Sequence, residues 1–399
     1  MAAWTDEIWL ADVRSELLDD ILPFWRKHSV DTQHGGFIAE MSNDLQLRPD
    51  APKGLILNAR ILWTFSAAYR YTQNPEDRDL ARRAFDYLLQ HFLDRKHGGF
   101  FWRLNPDGSV LDDKKKIYGQ AFCIYALAEY FRTFDDNTAL QTAITLFDFL
   151  EAHAHDAQYG GYIETTLRDW KPCGDVRLSD KDMNAPKSMN NHLHILEAYT
   201  NLFRIRPEIR VSERLLELID LFDTRILNAD KTHLNHFFDE AWTPRSSSYT
   251  FGHDIEASWL LLEAAEAVCT AIRIRQPAIN MARAVMTEAL DADGGLCYEC
   301  RDGRIINPDR EWWPQAEAVV GFYNAFQFTG EPEFRDAAIR CWRYIRDRFV
   351  DPRYGEWFWR VRRDGTIDDA EPKISEWKCP YHNTRCCLEI LQRVPTQSS

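Results

Sequence analysis

Apolar residues recur at i, i+3 and i+4 along most of this chain, the spacing that buries one face of an α-helix. Leu55–Ala68 (LILNARILWTFSAA) and Arg78–Gln90 (RDLARRAFDYLLQ) both show it. Between them TQNPED, from Thr72, carries the Asn and Pro that stop one helix and restart the next. The pair recurs at Tyr118–Phe131 with Ala139–Leu150, and at Met189–Phe203 with Ser212–Phe222. It returns at Ile255–Ala271 with Ala278–Leu290, and at Gln315–Phe328 with Glu333–Phe349. A first helix near Ile8–Lys27 and a last near Tyr381–Gln392 are left to pair with each other. Twelve helices in six hairpins predict an all-α (α/α)6 barrel.

A glycine-aromatic signature marks the same period. It reads HGGF from His34, HGGFFWR from His97, YGGYIE from Tyr159, DGGLCYE from Asp293 and YGEWFWR from Tyr354. Its first glycines stand at 35, 98, 160, 294 and 355, so the intervals are 63, 62, 134 and 61. The long gap holds HLNHFFDE from His233, which has the aromatic pair without the glycines. Six copies about 60 residues apart make an internal-repeat architecture. The signatures predict short strand-like segments at one end of the barrel. GxGxxG is absent and no linker or low-complexity stretch interrupts the chain, so 1–399 reads as one catalytic domain.

Composition narrows the partners. The 399 residues are 45% hydrophobic and 28% charged, a globular balance. A net charge of −14 opposes nucleic-acid binding, which needs Lys and Arg footprints, and opposes an anionic membrane surface. No apolar run is long enough to span a bilayer. The start, MAAWTDEIWL, carries Asp6 and Glu7 where a secretory signal needs a basic region. Nine cysteines at irregular spacings, with Cys386-Cys387 the one tight pair, form no disulfide framework or zinc ribbon. A monomer in a reducing cytoplasm is the expectation. The 14 Trp, 15 Tyr and 23 Phe are expected mostly in the core, with a minority free to line a site, where aromatic faces suit the apolar faces of ligands such as pyranose rings.

The first helix of each pair is the more apolar and is expected in an inner ring. Its opening turns carry Asn58 and Arg60; Tyr118 and Gln120; Asn190, His192 and His194; His253, Asp254 and Glu256; Trp312, Trp313 and Glu317; and Trp377, Tyr381, His382 and Arg385. Parallel inner helices would bring all of these to one mouth. Each also has an ordinary reading: Arg60 as a buried ion-pair partner, a lone histidine or Asp254 as a cap, one tryptophan of the pair as core. HLH at His192 and HDIE at His253 raise a metal reading, but i,i+2 histidines diverge on a helix and neither HExxH nor CxxC accompanies them. No cofactor is expected.

The blocks KGLILNARILWTFSAAYR, KIYGQAFCIYALAEY, MNNHLHILEAYTNLFR, FGHDIEASWLLLEAAE, EWWPQAEAVVGFYNAF and ISEWKCPYHNTRCCLEI resemble, in order and over essentially the whole chain, the cellobiose 2-epimerases of the N-acylglucosamine 2-epimerase superfamily. The resemblance implies an (α/α)6 barrel that inverts C2 of the reducing-end glucose of β-1,4-linked disaccharides. It makes His253 and His382 the acid/base pair, and His194 the residue that assists ring opening and polarises the carbonyl. Arg60, Tyr118, Asn190 and Glu256 fall around the reacting sugar, Trp377 and a ring of Trp312-Trp313 stack on the disaccharide, and Asp182 contacts it. Glu256, one turn from His253, is expected to orient that imidazole. Asn191 stands where the family has Thr and is expected to point away from the site; Pro314 interrupts WWxQAEA within a first helical turn, where its missing N–H costs little.

Histidine suits such chemistry because its pKa leaves both protonation states available near neutrality. Aldose–ketose isomerisation, as in mannose isomerases, shares the enediolate, and N-acylglucosamine 2-epimerase activity is a further alternative. A glycoside hydrolase would want two carboxylates, and a sugar-binding protein would leave three histidines without a task.

Overall fold

The computed structural model describes residues 4–395, so the outermost ends of the expected 1–399 domain lie outside it. Helix α1 is continuous across Asp6–Ser15, a π-helical turn at Glu16–Ile21, and Leu22–His28. Then follow α2 (Leu55–Thr72), α3 (Pro75–Tyr87), α4 (Ile117–Phe134), α5 (Asn137–His153), α6 (Met189–Ile205) and α7 (Ile209–Leu221). The set ends with α8 (Phe251–Ala267), α9 (Ala271–Glu288), α10 (Trp312–Thr329), α11 (Pro332–Tyr344) and α12 (Tyr381–Arg393). Helices α3, α7 and α11 each run on through a π-helical turn, to Phe92, Ile226 and Phe349.

The even-numbered helices form the inner ring. Each packs on the next, α2 on α4 and so on to α10 on α12, and α12 packs back on α2 to close the circle. Helix α1 lies outside α12, so the first and last helices do pair. Inner helices are buried on nearly every side, as the first fourteen residues of α2 show. Outer helices bury one stripe: in α7 only Val211, Leu215, Leu218, Ile219 and Leu221 are covered.

One pair of helices departs from its predicted bounds. The outer helix expected over Ala278–Leu290 begins at Ala271 and carries Pro277 inside it. Cys269, at φ +59°, turns the chain out of α8 early and leaves the outer helix room to start.

All six signatures close the same two-strand bridge after an outer helix. The bridges are Val30 with Phe37, Leu93 with Phe100, His155 with Tyr162, Leu227 with Leu234, Leu290 with Leu296, and Val350 with Trp357. The fourth is the copy without glycines; there Lys231 takes the left-handed φ, at +57°. In the second, a Cβ on Gly98 would sit 2.2 Å from the Phe149 ring, so only glycine fits.

Short strands enter five inner helices: Lys53–Gly54, Lys115–Lys116, Lys187–Ser188, Ser248–Thr250 and Arg310–Glu311. Each pairs with the strand that follows the next signature, beginning with Lys53–Gly54 on Arg103–Leu104. Met41 pairs with Ile374 ahead of α12 and completes the circle. The strand-like segments thus form a rim at the N-terminal ends of the inner helices.

Buried ion pairs pin this rim. Lys53 binds Asp31 at 2.6 Å, Lys115 binds Asp94 at 3.1 Å, Lys187 binds Asp156 at 2.7 Å and Lys373 binds Asp351 at 2.5 Å. Arg310 with Asp291 is the fifth. The fourth repeat has Tyr249 and Asn228 instead, losing both charges together, as burial of a lone charge would require.

Candidate functional site

A cavity of about 610 Å³ opens inside the rim, over the N-terminal ends of the inner helices. Its volume lies in the ordinary range for small-molecule sites. All eleven residues singled out by the resemblance line it. His194, His253 and His382 do so from three inner helices, with Arg60, Tyr118, Asn190 and Glu256 beside them. Trp312, Trp313 and Trp377 supply aromatic faces, and Asp182 comes from the loop before α6. Tyr298 and Trp359 also line it, and sequence reading missed them, although both sit in signature copies.

Each histidine is anchored through Nδ1. His194 binds Glu197 Oε2 at 2.8 Å, and His382 binds Glu317 Oε1 at 2.6 Å. His253 lies 2.5 Å from the Thr250 hydroxyl. Glu256 does not orient His253, contrary to expectation; its carboxylate accepts from Arg385 at 2.7 Å. Among the described residues none bonds Nε2 of the three rings. Burial pushes the pKa of His253 and of His382 well below the ordinary value; neighbouring histidines add to this at His253, and Arg60 and Arg385 at His382. Burial likewise lowers His194, partly offset by Glu197. Trp313 touches both candidate acid/base rings, with centroids 4.8 Å from His253 and 5.7 Å from His382.

Beneath the histidines, Arg385 holds three buried carboxylates together. It donates to Glu197, to Glu256 at 2.7 Å and to Glu317 at 2.7 Å. Despite its burial, Glu197 is drawn down to about 2 by Arg385 and His194, while burial and Glu317 push Glu256 up. Glu256, Glu317 and His382 bring three possible metal-ligating atoms within 4.8 Å of one another. Both carboxylates already bind the guanidinium, which opposes a cation there electrostatically.

Arg60 donates to Tyr118 Oη at 3.0 Å and lies over the Phe122 ring, 4.4 Å from its centroid. Its Nε, the Asn190 Oδ1 and the Trp312 Nε1 are buried without hydrogen-bond partners. Such groups are rare in native interiors, and here all three residues line the cavity, where sugar hydroxyls would satisfy them. Asp182 Oδ2 accepts from the Ser179 amide and hydroxyl, both at 2.8 Å, which leaves Oδ1 for a ligand.

Three polar residues expected at the mouth face the rim instead. Gln120 accepts from Phe100 N, His192 from Tyr162 N and Asp254 from Leu234 N. With Gln315, which accepts from Leu296 N, they clamp the signature bridges. Asn58 donates to Gly54 O, in the residue just before its own helix. Asn191 points away from the site, as expected, and donates to Ile163 O. Pro314 falls in the first turn of α10, also as expected.

The N-acylglucosamine 2-epimerase family model matches residues 35–386. A cellobiose 2-epimerase from Bacteroides fragilis is 45% identical over 97% of this chain and 99% of its own. One from Dictyoglomus turgidum is 36% identical over 96% and 98%. The structure of cellobiose 2-epimerase from Bacillus thermoamylovorans B4167 superposes with a TM-score of 0.93 at 37% identity, covering 97% of this chain and all of that one. Full-length likeness of this kind, together with the histidine-lined cavity, places the chain among the sugar epimerases: it belongs to the cellobiose 2-epimerases of the N-acylglucosamine 2-epimerase superfamily.

Proposed function

We propose that the enzyme inverts C2 of the reducing-end glucose of β-1,4-linked disaccharides, converting cellobiose to glucosylmannose and lactose to epilactose. The observation that carries this reading is a cavity holding three Nδ1-anchored histidines whose Nε2 atoms have no partner among the described residues. In the open-chain aldehyde the C2 hydrogen is acidic. One histidine of the pair His253 and His382 removes it, an enediolate forms, and the partner returns a proton to the opposite face. Burial disfavours the charged imidazolium that this donor must be, contrary to the expectation that either form is freely available, and the negative charge of the enediolate offsets that cost. His194 and Arg60 stabilise charge on the enediolate oxygens, aided by the positive N-terminal ends of six inner helices. The chemistry needs neither metal nor nicotinamide. Trp377, Trp313, Trp359 and Tyr298 offer more aromatic surface than one pyranose covers, which favours a disaccharide.

The test is to incubate the protein with cellobiose and follow the anomeric signals by NMR. Reducing-end mannose is expected. A ketose product without mannose would make the enzyme an aldose–ketose isomerase, and unchanged cellobiose and lactose would refute the substrate assignment.

A further inference from the structure

His194 and His382 are backed by carboxylates, whereas His253 is backed by a hydroxyl. Thr250 stands immediately before α8, where a Thr hydroxyl ordinarily accepts from a backbone N–H of the first turn. Ser188 does this ahead of α6, accepting from Asn191 N at 3.2 Å. Thr250 makes no such cap. Its hydroxyl is instead turned to His253 Nδ1, and its own N–H donates to His236 Nε2 at 3.1 Å. The His236 ring stands edge-on to His253, 5.6 Å between centroids. Burial lowers His236 to about 4, so it is neutral at pH 7 and accepts through Nε2.

We propose that Thr250 is a positioning residue of the epimerisation: its hydroxyl accepts from Nδ1–H of His253 and keeps Nε2 bare toward the cavity, with His236 as the strut that fixes Thr250. The inference rests on the acid/base role given to His253. A hydroxyl stabilises an imidazolium less than a carboxylate does, so protonated His253 gives up its proton more readily than Glu317-backed His382. Among the described residues no other group takes over the contact. Glu256, on the same helix, is held by Arg385. His194 and His382 face His253 from α6 and α12, and Tyr298 lies across the main cavity. Glu164 and Asp182 share with His253 a side cavity of about 60 Å³. Glu164, pushed up to about 8 by burial, keeps its proton at neutral pH, and Asp182 is engaged with Ser179.

Thr250→Val keeps the branched shape and removes the hydroxyl; Thr250→Ser restores it. Both are compared with the unaltered enzyme on cellobiose across pH, and the His253 tautomer is read by ¹⁵N NMR. Thr250→Val should lower kcat roughly 10–100-fold, the size of effect seen when the hydrogen-bond partner of a metal-bound histidine is removed, with KM changed less than about 2-fold. It should also move the His253 limb of the pH profile downward, since the protonated form loses its acceptor, and populate the Nε2–H tautomer. Thr250→Ser should recover most of the rate. An unmoved profile with normal kcat in Thr250→Val, or a Ser variant as impaired as the Val variant, would overturn the proposal. So would an Nε2–H tautomer of His253 in the unaltered protein at neutral pH. Failure of the unaltered enzyme to epimerise cellobiose would instead overturn the activity reading, and the tautomer would still decide what Thr250 does.

Discussion

Replacing His192 by Gln should remove a pH dependence of stability without harming catalysis. His192 is fully buried, accepts from Tyr162 N at 2.8 Å through Nε2 and binds Ser188 O at 2.7 Å through Nδ1. Burial lowers its pKa from 6.5 to about 4. The unfolded chain therefore binds a proton between these values that the folded chain refuses. Stability is complete above pH 6.5 and falls as pH drops toward 4. At pH 5 linkage makes this loss about 2 kcal/mol, or roughly 2–3 °C in Tm for a chain of this size. Gln can assume the clamp without titrating: Gln120 and Gln315 hold Phe100 and Leu296 by both amide groups in the same position of their repeats. Calorimetric scans at pH 7.5 and 5 should show a Tm difference smaller in His192→Gln than in the parent by that amount. Turnover should persist, because His192 lies outside the cavity lining. An unchanged pH dependence would show that His192 does not carry this proton linkage, and loss of turnover with the fold intact would show that it serves catalysis.

Glu317→Gln removes the charge that His382 and Arg385 share, and kcat should fall about 100-fold or more with the melting curve retained; a near-normal rate would exclude Glu317 as the support of His382. Lys373→Met leaves Asp351 buried and unpaired and should cost about 3–5 kcal/mol in urea unfolding. Adding Asp351→Asn should recover most of that, since the fourth repeat already carries no charge at either position; no recovery would show that the rim does not depend on matching these charges. Activity should survive exhaustive dialysis against EDTA, and a loss restored by Mn²⁺ or Zn²⁺ would contradict the metal-free chemistry.

The hairpin count, the ring and the six signatures were legible because each rests on strong local chemistry: an apolar stripe of period 3.6 and glycines at positive φ. The bound between α8 and α9 was not, because α8 stops short of Ala271 on a left-handed Cys269 and α9 runs through Pro277, an interior position where proline ordinarily breaks a helix. At the site, the residues named from the resemblance line the cavity, while position alone mixed two faces of each helix. Side chains five residues after the first helical one, such as Arg60, His194, Glu256 and Glu317, sit in or directly below the cavity. Those at three residues, such as Gln120, His192, Asp254 and Gln315, turn to the rim. Aligning the six repeats on their helix starts would have separated the faces and exposed the Lys–Asp locks. Glu197 was within reach too, one turn beyond His194. The Thr250 contact was not, because a Thr before a helix reads as an ordinary cap.

Proton transfer at C2 through two histidines dictates the isotope content of the first product formed in D₂O. Glucosylmannose made from unlabelled cellobiose should carry one deuterium at C2 of its mannose unit, because the returning proton comes from a histidine that exchanges with solvent. Product that keeps the substrate's own hydrogen, with no solvent label, would indicate an intramolecular transfer and contradict the two-histidine account.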